Sequence, residues 1–70
     1  MKIILILTMC SLTTYECMNP FEWPVKFESA YDCSMVGFKA SADKLMEIGK
    51  EEVDLHKISI TFECREVNFT

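Results

Sequence analysis

The chain opens on an unbroken apolar run, Ile3-Ile4-Leu5-Ile6-Leu7, which Thr8, Met9, Cys10 and Leu12 extend. Ile3, Ile4, Ile6 and Thr8 are β-branched, and both faces of an extended segment here are apolar. That is the pattern of a central strand covered on both sides. The same run, following Met1-Lys2, also has the outline of a secretory signal, with Ser11 and Thr13 as small residues near a cleavage point. Against that reading, a single Lys precedes the run and no Ala-x-Ala follows it. Cleavage after Cys10 or Thr13 would also leave three cysteines, an odd number that suits a secreted protein poorly. The expectation is a retained strand, with residues 1–13 as a removed signal the alternative. A bilayer span needs about 20 apolar residues, so no transmembrane span is expected.

Three further elements follow a polar reversal at Ser11–Tyr15. From Glu16 to Glu28, Phe21, Trp23, Val25 and Phe27 alternate with Glu22, Pro24, Lys26 and Glu28. Pro20 and Pro24 cannot donate to a ladder, which makes this stretch an edge strand or extended arm. Ser29 then reads as a helix N-cap, with Asp32 in the first turn. At 100° per residue, Tyr31, Met35, Phe38, Ala42, Leu45, Met46 and Gly49 share one arc, and Asp32, Lys39, Asp43, Glu47 and Lys50 lie opposite. The apolar arc predicts the core-facing side, placing Phe38 in the core. Gly49 is one possible stop, but Val53 and His56 continue the arc, so the predicted helix runs to about Asp54. Finally, Ile58, Ile60, Phe62 and Cys64 alternate with Ser59, Thr61, Glu63 and Arg65, a strand with one wet face.

No repeat or linker interrupts the chain, so residues 1–70 are expected to form a single small domain. A helix joins the first strand to the last, which favours a parallel pair with a right-handed crossover. The proline-containing arm pairs antiparallel with the first strand. The expected fold class is therefore α+β: a small three-stranded sheet in β-β-α-β order, one helix packed across one face, and a cysteine staple at one end. In that arrangement Cys10, Cys17, Cys33 and Cys64 gather at one pole. Cys64 shares the face of Ile58, Ile60 and Phe62, and Cys33 enters above it from the first helical turn. Cys33–Cys64 with Cys10–Cys17 is the expected pairing; Cys17–Cys33 with Cys10–Cys64 is its rival.

Composition makes such staples necessary. Half of the 70 residues are hydrophobic, too many for disorder, yet a chain this short has a thin core. Disulfides place the protein in an oxidising compartment or outside the cell (periplasm, secreted or virion surface) rather than in the cytoplasm. Zinc knuckles need C-x₂₋₄-C pairs, which are absent, so no metal and no cofactor are expected. With seven Lys and Arg against eleven Asp and Glu, net charge −4, the chain lacks the basic surface that nucleic acid requires.

Candidate chemistry is sparse. His56 is the single histidine, and a surface position at a helix end explains it without catalysis. The carboxylate pairs Glu51-Glu52 and Asp43/Glu47 read as a solvated face. No G-x-S-x-G, H-E-x-x-H, phosphate loop or C-x-x-C occurs. Phe21 and Trp23 are possible contacts for a protein partner, although in so small a domain Trp23 is more often a cover for the core.

Leu7-Thr8-Met9-Cys10 ending an apolar strand, Glu16-Cys17-Met18-Asn19-Pro20, Tyr31-Asp32-Cys33 opening a helix, and Ile60-Thr61-Phe62-Glu63-Cys64 together define a pattern spanning nearly the whole chain. It resembles small four-cysteine proteins of unknown function encoded by marine bacteriophages and marine alphaproteobacteria. The resemblance implies a phage-encoded origin and no catalytic residue, and it supports keeping the apolar run as a strand. The functional expectation is a non-enzymatic accessory or interaction protein. The alternative is a small cysteine-chemistry module, binding metal or exchanging disulfides.

Overall fold

The computed structural model describes residues 2–67. Along the chain run β1 (Lys2–Ser11), β2 (Phe21–Glu22), α1 (Ala30–Ile48), α2 (Lys50–His56) and β3 (Ile58–Val67). The strands form one sheet in the order β2-β1-β3. α1 packs across one face, giving the α+β class with the apolar run as its central strand.

After β1 the chain reverses at Ser11–Tyr15, where the Tyr15 N–H donates to the Ser11 carbonyl at 2.8 Å. It returns along β1 as a broken arm. Cys17 bridges Cys10, β2 pairs with Ile6 and Leu7, and Phe27 exchanges two 2.8 Å hydrogen bonds with Ile3. Pro20 and Pro24 supply no N–H, which keeps the arm from forming a continuous ladder.

β1 and β3 are antiparallel throughout, from Lys2↔Val67 to Ser11↔Ile58, and not parallel as a helical connection suggested. The arm is the reason. It has already carried the chain back to Ile3, and Lys2 Nζ donates to Glu28 Oε1 at 2.7 Å just before α1 begins. α1 then climbs beside β1; its nineteen residues span about 28 Å, close to the length of a ten-residue strand. β3 starts at the far end and descends. The hydrogen bond and charge of Lys2 hold the Glu28 carboxyl below the ordinary carboxylate range. This tie is therefore intact above that range and is lost as acid protonates Glu28.

The antiparallel register also separates the staples. Cys10 stands opposite Ser59 and Cys64 opposite Leu5, about 17 Å apart along the sheet. The sulfurs thus do not gather at one pole; one disulfide ties each half of the sheet. Cys10 is bonded to Cys17, with 3.9 Å between Cα atoms. The flanking bonds, Ser11 N–H to the Glu16 carbonyl and Met18 N–H to the Met9 carbonyl, make this a non-hydrogen-bonded pair, whose side chains approach closely. Cys33 is bonded to Cys64, with Cα atoms 6.2 Å apart. Helix start and strand end meet here because α1 begins where β3 finishes.

Ser29 caps α1, its Oγ accepting the Asp32 N–H at 3.0 Å. At Gly49, φ is +98°, a region that favours glycine. The single helix predicted to Asp54 is thus two helices meeting at Gly49. The last carbonyl of α2, on His56, accepts from Ser11 Oγ at 2.8 Å and Thr13 Oγ1 at 3.3 Å.

α1 does not present the predicted arc to the sheet. Cys33 and Gly37 are buried and Val36, Ala40, Ser41 and Ile48 half-buried, whereas Tyr31, Met35, Phe38 and Met46 are 72%, 53%, 66% and 70% exposed. The buried side is centred roughly 140° from the arc, at 100° per residue. Phe62 shows why: its ring lies against Gly37, where a Cβ would come within 2.5 Å of a ring carbon. Small residues on α1 admit bulk from the sheet. Phe38 meets Phe62 edge-to-face, centroids 4.8 Å apart.

Leu5 and Cys33 are fully buried at the centre, beside Ile3, with Leu7, Trp23, Phe27, Val36 and Phe62 packed around them. On the other face, Ile4, Ile6 and Thr8 stand opposite Arg65, Glu63 and Thr61, all three of which are exposed. α1 packs on the Ile3, Leu5 and Leu7 side of β1 alone, yet on the other face Ile4 is still buried, at 9% exposure, and Ile6 and Thr8 are half-buried.

Candidate functional site

The two aromatic residues singled out by the sequence stand together at the edge of the sheet. The Trp23 N–H donates to the Leu5 carbonyl at 2.8 Å, which fixes the arm and lets the indole pack partly on the core. Phe21, 55% exposed, meets Trp23 edge-to-face with centroids 6.2 Å apart.

Beside this pair, an open groove of about 360 Å³ runs between the arm and α1. Leu7, Met9 and Ile60 form its floor, Met18, Phe21 and Trp23 one wall, and Ala40 and Lys44 the other. Alternation along β1 and β3 puts Leu7, Met9 and Ile60 on the α1 face. α1 contributes the small Ala40, which leaves the space open. Asn19 and Lys44 bring polar side chains to it; the Lys44 ammonium also lies 3.7 Å from Glu47. An apolar concavity with a few polar groups suits an apolar side chain with limited polar anchoring. A shallower hollow of about 270 Å³ adjoins the Cys10–Cys17 bond, lined also by Thr14, Glu16 and Ile58.

The remaining candidate groups do not converge. His56 Nε2 lies 3.3 Å from Glu52 on the same exposed turn, and Asp54 is held by Lys50 at 2.9 Å. Glu51, Asp43 and Glu47 are exposed. All four cysteines are in disulfides, chemistry consistent with an oxidising environment. Among the described residues, no group of three or more His, Cys, Asp or Glu is placed to hold a metal ion. No helix there is long and apolar enough to cross a membrane.

Phe21 and Trp23 were legible as possible contacts from their exposure-prone arm. Ala40 and Lys44 were not, because they lie off the arc assigned to the core. Comparison of the chain with protein-family models, curated proteins and solved structures finds no match, so the groove is read from its own chemistry.

Proposed function

We propose that the protein is a non-enzymatic, disulfide-stapled interaction module that receives an apolar side chain of a partner protein in the groove beside Phe21 and Trp23. The groove itself carries this reading: an open apolar space bordered by two aromatic rings on a stapled scaffold. Aromatic residues give large contact area for little loss of side-chain freedom, and Trp and Tyr dominate binding energy at interfaces. The resemblance to phage-encoded proteins extends the proposal to an accessory role in the host envelope or at the particle surface, where disulfides persist.

A second reading, thiol–disulfide exchange, is favoured by one observation. Cys17 is exposed beside the hollow at the Cys10–Cys17 bond, whereas Cys33 is fully buried. An attacking thiolate therefore has access to one of the two bonds.

Peptides selected from a random library on the oxidised protein test the groove. Bound peptide is expected to shift the NMR signals of the Trp23 indole and the Leu7, Met9 and Ile60 methyls. Ala40→Arg and Met18→Arg, which fill the groove from opposite walls, are expected to weaken binding by about tenfold or more, equivalent to about 1.4 kcal/mol. Undiminished binding by both variants with native spectra would exclude the groove as the site.

A further inference from the structure

We infer that the outward face of α1 is the contact surface for a second copy of this chain, packed helix against helix in antiparallel orientation. Tyr31, Met35, Phe38, Ala42 and Leu45 follow one another at alternating steps of four and three residues, the spacing of a coiled-coil seam. A surface helix normally turns such a stripe toward its own core. Here Cys33, Gly37 and Ala40 occupy the side facing the sheet, and of the seam Tyr31, Met35, Phe38 and Ala42 are exposed and Leu45 is half-buried.

The seam is self-complementary when reversed. With a two-fold axis beside residue 40, Phe38 faces Ala42 of the second copy and Met35 faces Leu45, so each large side chain meets a smaller or equal one. A parallel pairing instead stacks Phe38 on Phe38 and Ala42 on Ala42, alternating overfilled and empty layers. Charge agrees with the reversal. Lys39 and Asp43, on the polar side of α1, stand about 80° and about 120° round the helix from Tyr31, at one margin of the seam, yet neither makes an ion pair among the described residues, whereas the neighbouring Lys44–Glu47 and Lys50–Asp54 pairs do form. In the antiparallel arrangement Lys39 lies beside Asp43 of the other copy, and symmetry repeats the contact. Rim charges of this kind contribute little energy and set orientation.

A lipid surface is the poorer occupant, because interfacial helices carry a Lys/Arg-rich polar face and this chain has net charge −4. The seam is one helix wide and about 28 Å long. That is less than the roughly 800 Å² per partner of a standard interface, so the dimer is expected to be weak, with Kd in the micromolar range.

Sedimentation equilibrium of the oxidised full chain, from about 1 μM to about 1 mM, tests this. The wild type is expected to pass from monomer to dimer across that range. Phe38→Glu, at an exposed position, is expected to raise Kd at least about tenfold with an unchanged circular dichroism spectrum. Lys39→Asp should weaken the dimer, and Lys39→Asp combined with Asp43→Lys should restore it. Ala40→Arg, which blocks the groove, should dimerise as the wild type does, so the two proposals fail separately. A wild type monomeric at every concentration, or a dimer indifferent to Phe38→Glu, would overturn the inference; so would vesicle binding by a protein that stays monomeric.

Discussion

Replacing Cys33 and Cys64 together by alanine is expected to cost about 3–4 kcal/mol and to leave much of the chain unfolded at 25 °C. The bond closes a loop of sequence separation 31, and the chain entropy released by opening such a loop has that size. A single core in a chain of 70 residues rarely supplies more than about 3–5 kcal/mol, so this one bond is comparable with the whole margin. Cys33 is also fully buried, and its loss thins the packing around Leu5. The Cys10–Cys17 bond has a separation of only 7, for which the same entropy is about 2 kcal/mol. Urea denaturation followed by circular dichroism ranks the two double variants. Greater damage from opening Cys10–Cys17 would mean that the α1–β3 tie is not the main staple.

Leu5→Ala is expected to cost about 3–5 kcal/mol, the upper range for buried leucine truncations. Leu5 is 0% exposed, stands opposite Cys64 on β3 and belongs to the buried cluster with Ile3 and Cys33. The surrounding side chains are held by two strands and a disulfide, so the space left by the lost carbons cannot readily collapse. Phe38→Ala is the informative control. Its ring is 66% exposed, and its loss removes mainly the edge contact with Phe62, worth about 0.5–1.5 kcal/mol. Denaturation at concentrations where the chain is monomeric separates the two, and a larger loss from Phe38→Ala would place the outward side of α1 in the core after all.

Strand positions were legible because alternation in Ile58–Arg65 and the unbroken run after Lys2 are local patterns. Ser29 was legible as a cap for the same reason: its Oγ bonds a backbone group three residues away. The direction of β3 was not. It depends on how far the arm travels before α1 starts, which is set by the pairing of Phe27 with Ile3 and of Lys2 with Glu28. The facing of α1 was hidden by a different rule. Large apolar residues usually mark the core side of a helix, but here Phe62 fills that side from the sheet and requires Gly37 beneath it. The α1 wall of the groove, Ala40 and Lys44, was lost with that assignment. Cys33–Cys64 was found because Cys64 shares a strand face with Ile60 and Phe62, a feature that holds for either strand direction.

That bond determines which side of α1 meets the sheet, and so both the groove and the outward seam. Non-reducing peptide mapping of oxidised protein, with cleavage after glutamate, is the most direct measurement, because Glu16, Glu28 and Glu47 separate the cysteines that need separating. One fragment joining Cys33 to Cys64 and another joining Cys10 to Cys17 are expected. A fragment joining Cys10 to Cys64, which stand about 17 Å apart along this sheet, would contradict the register, the facing of α1 and both surfaces built on them.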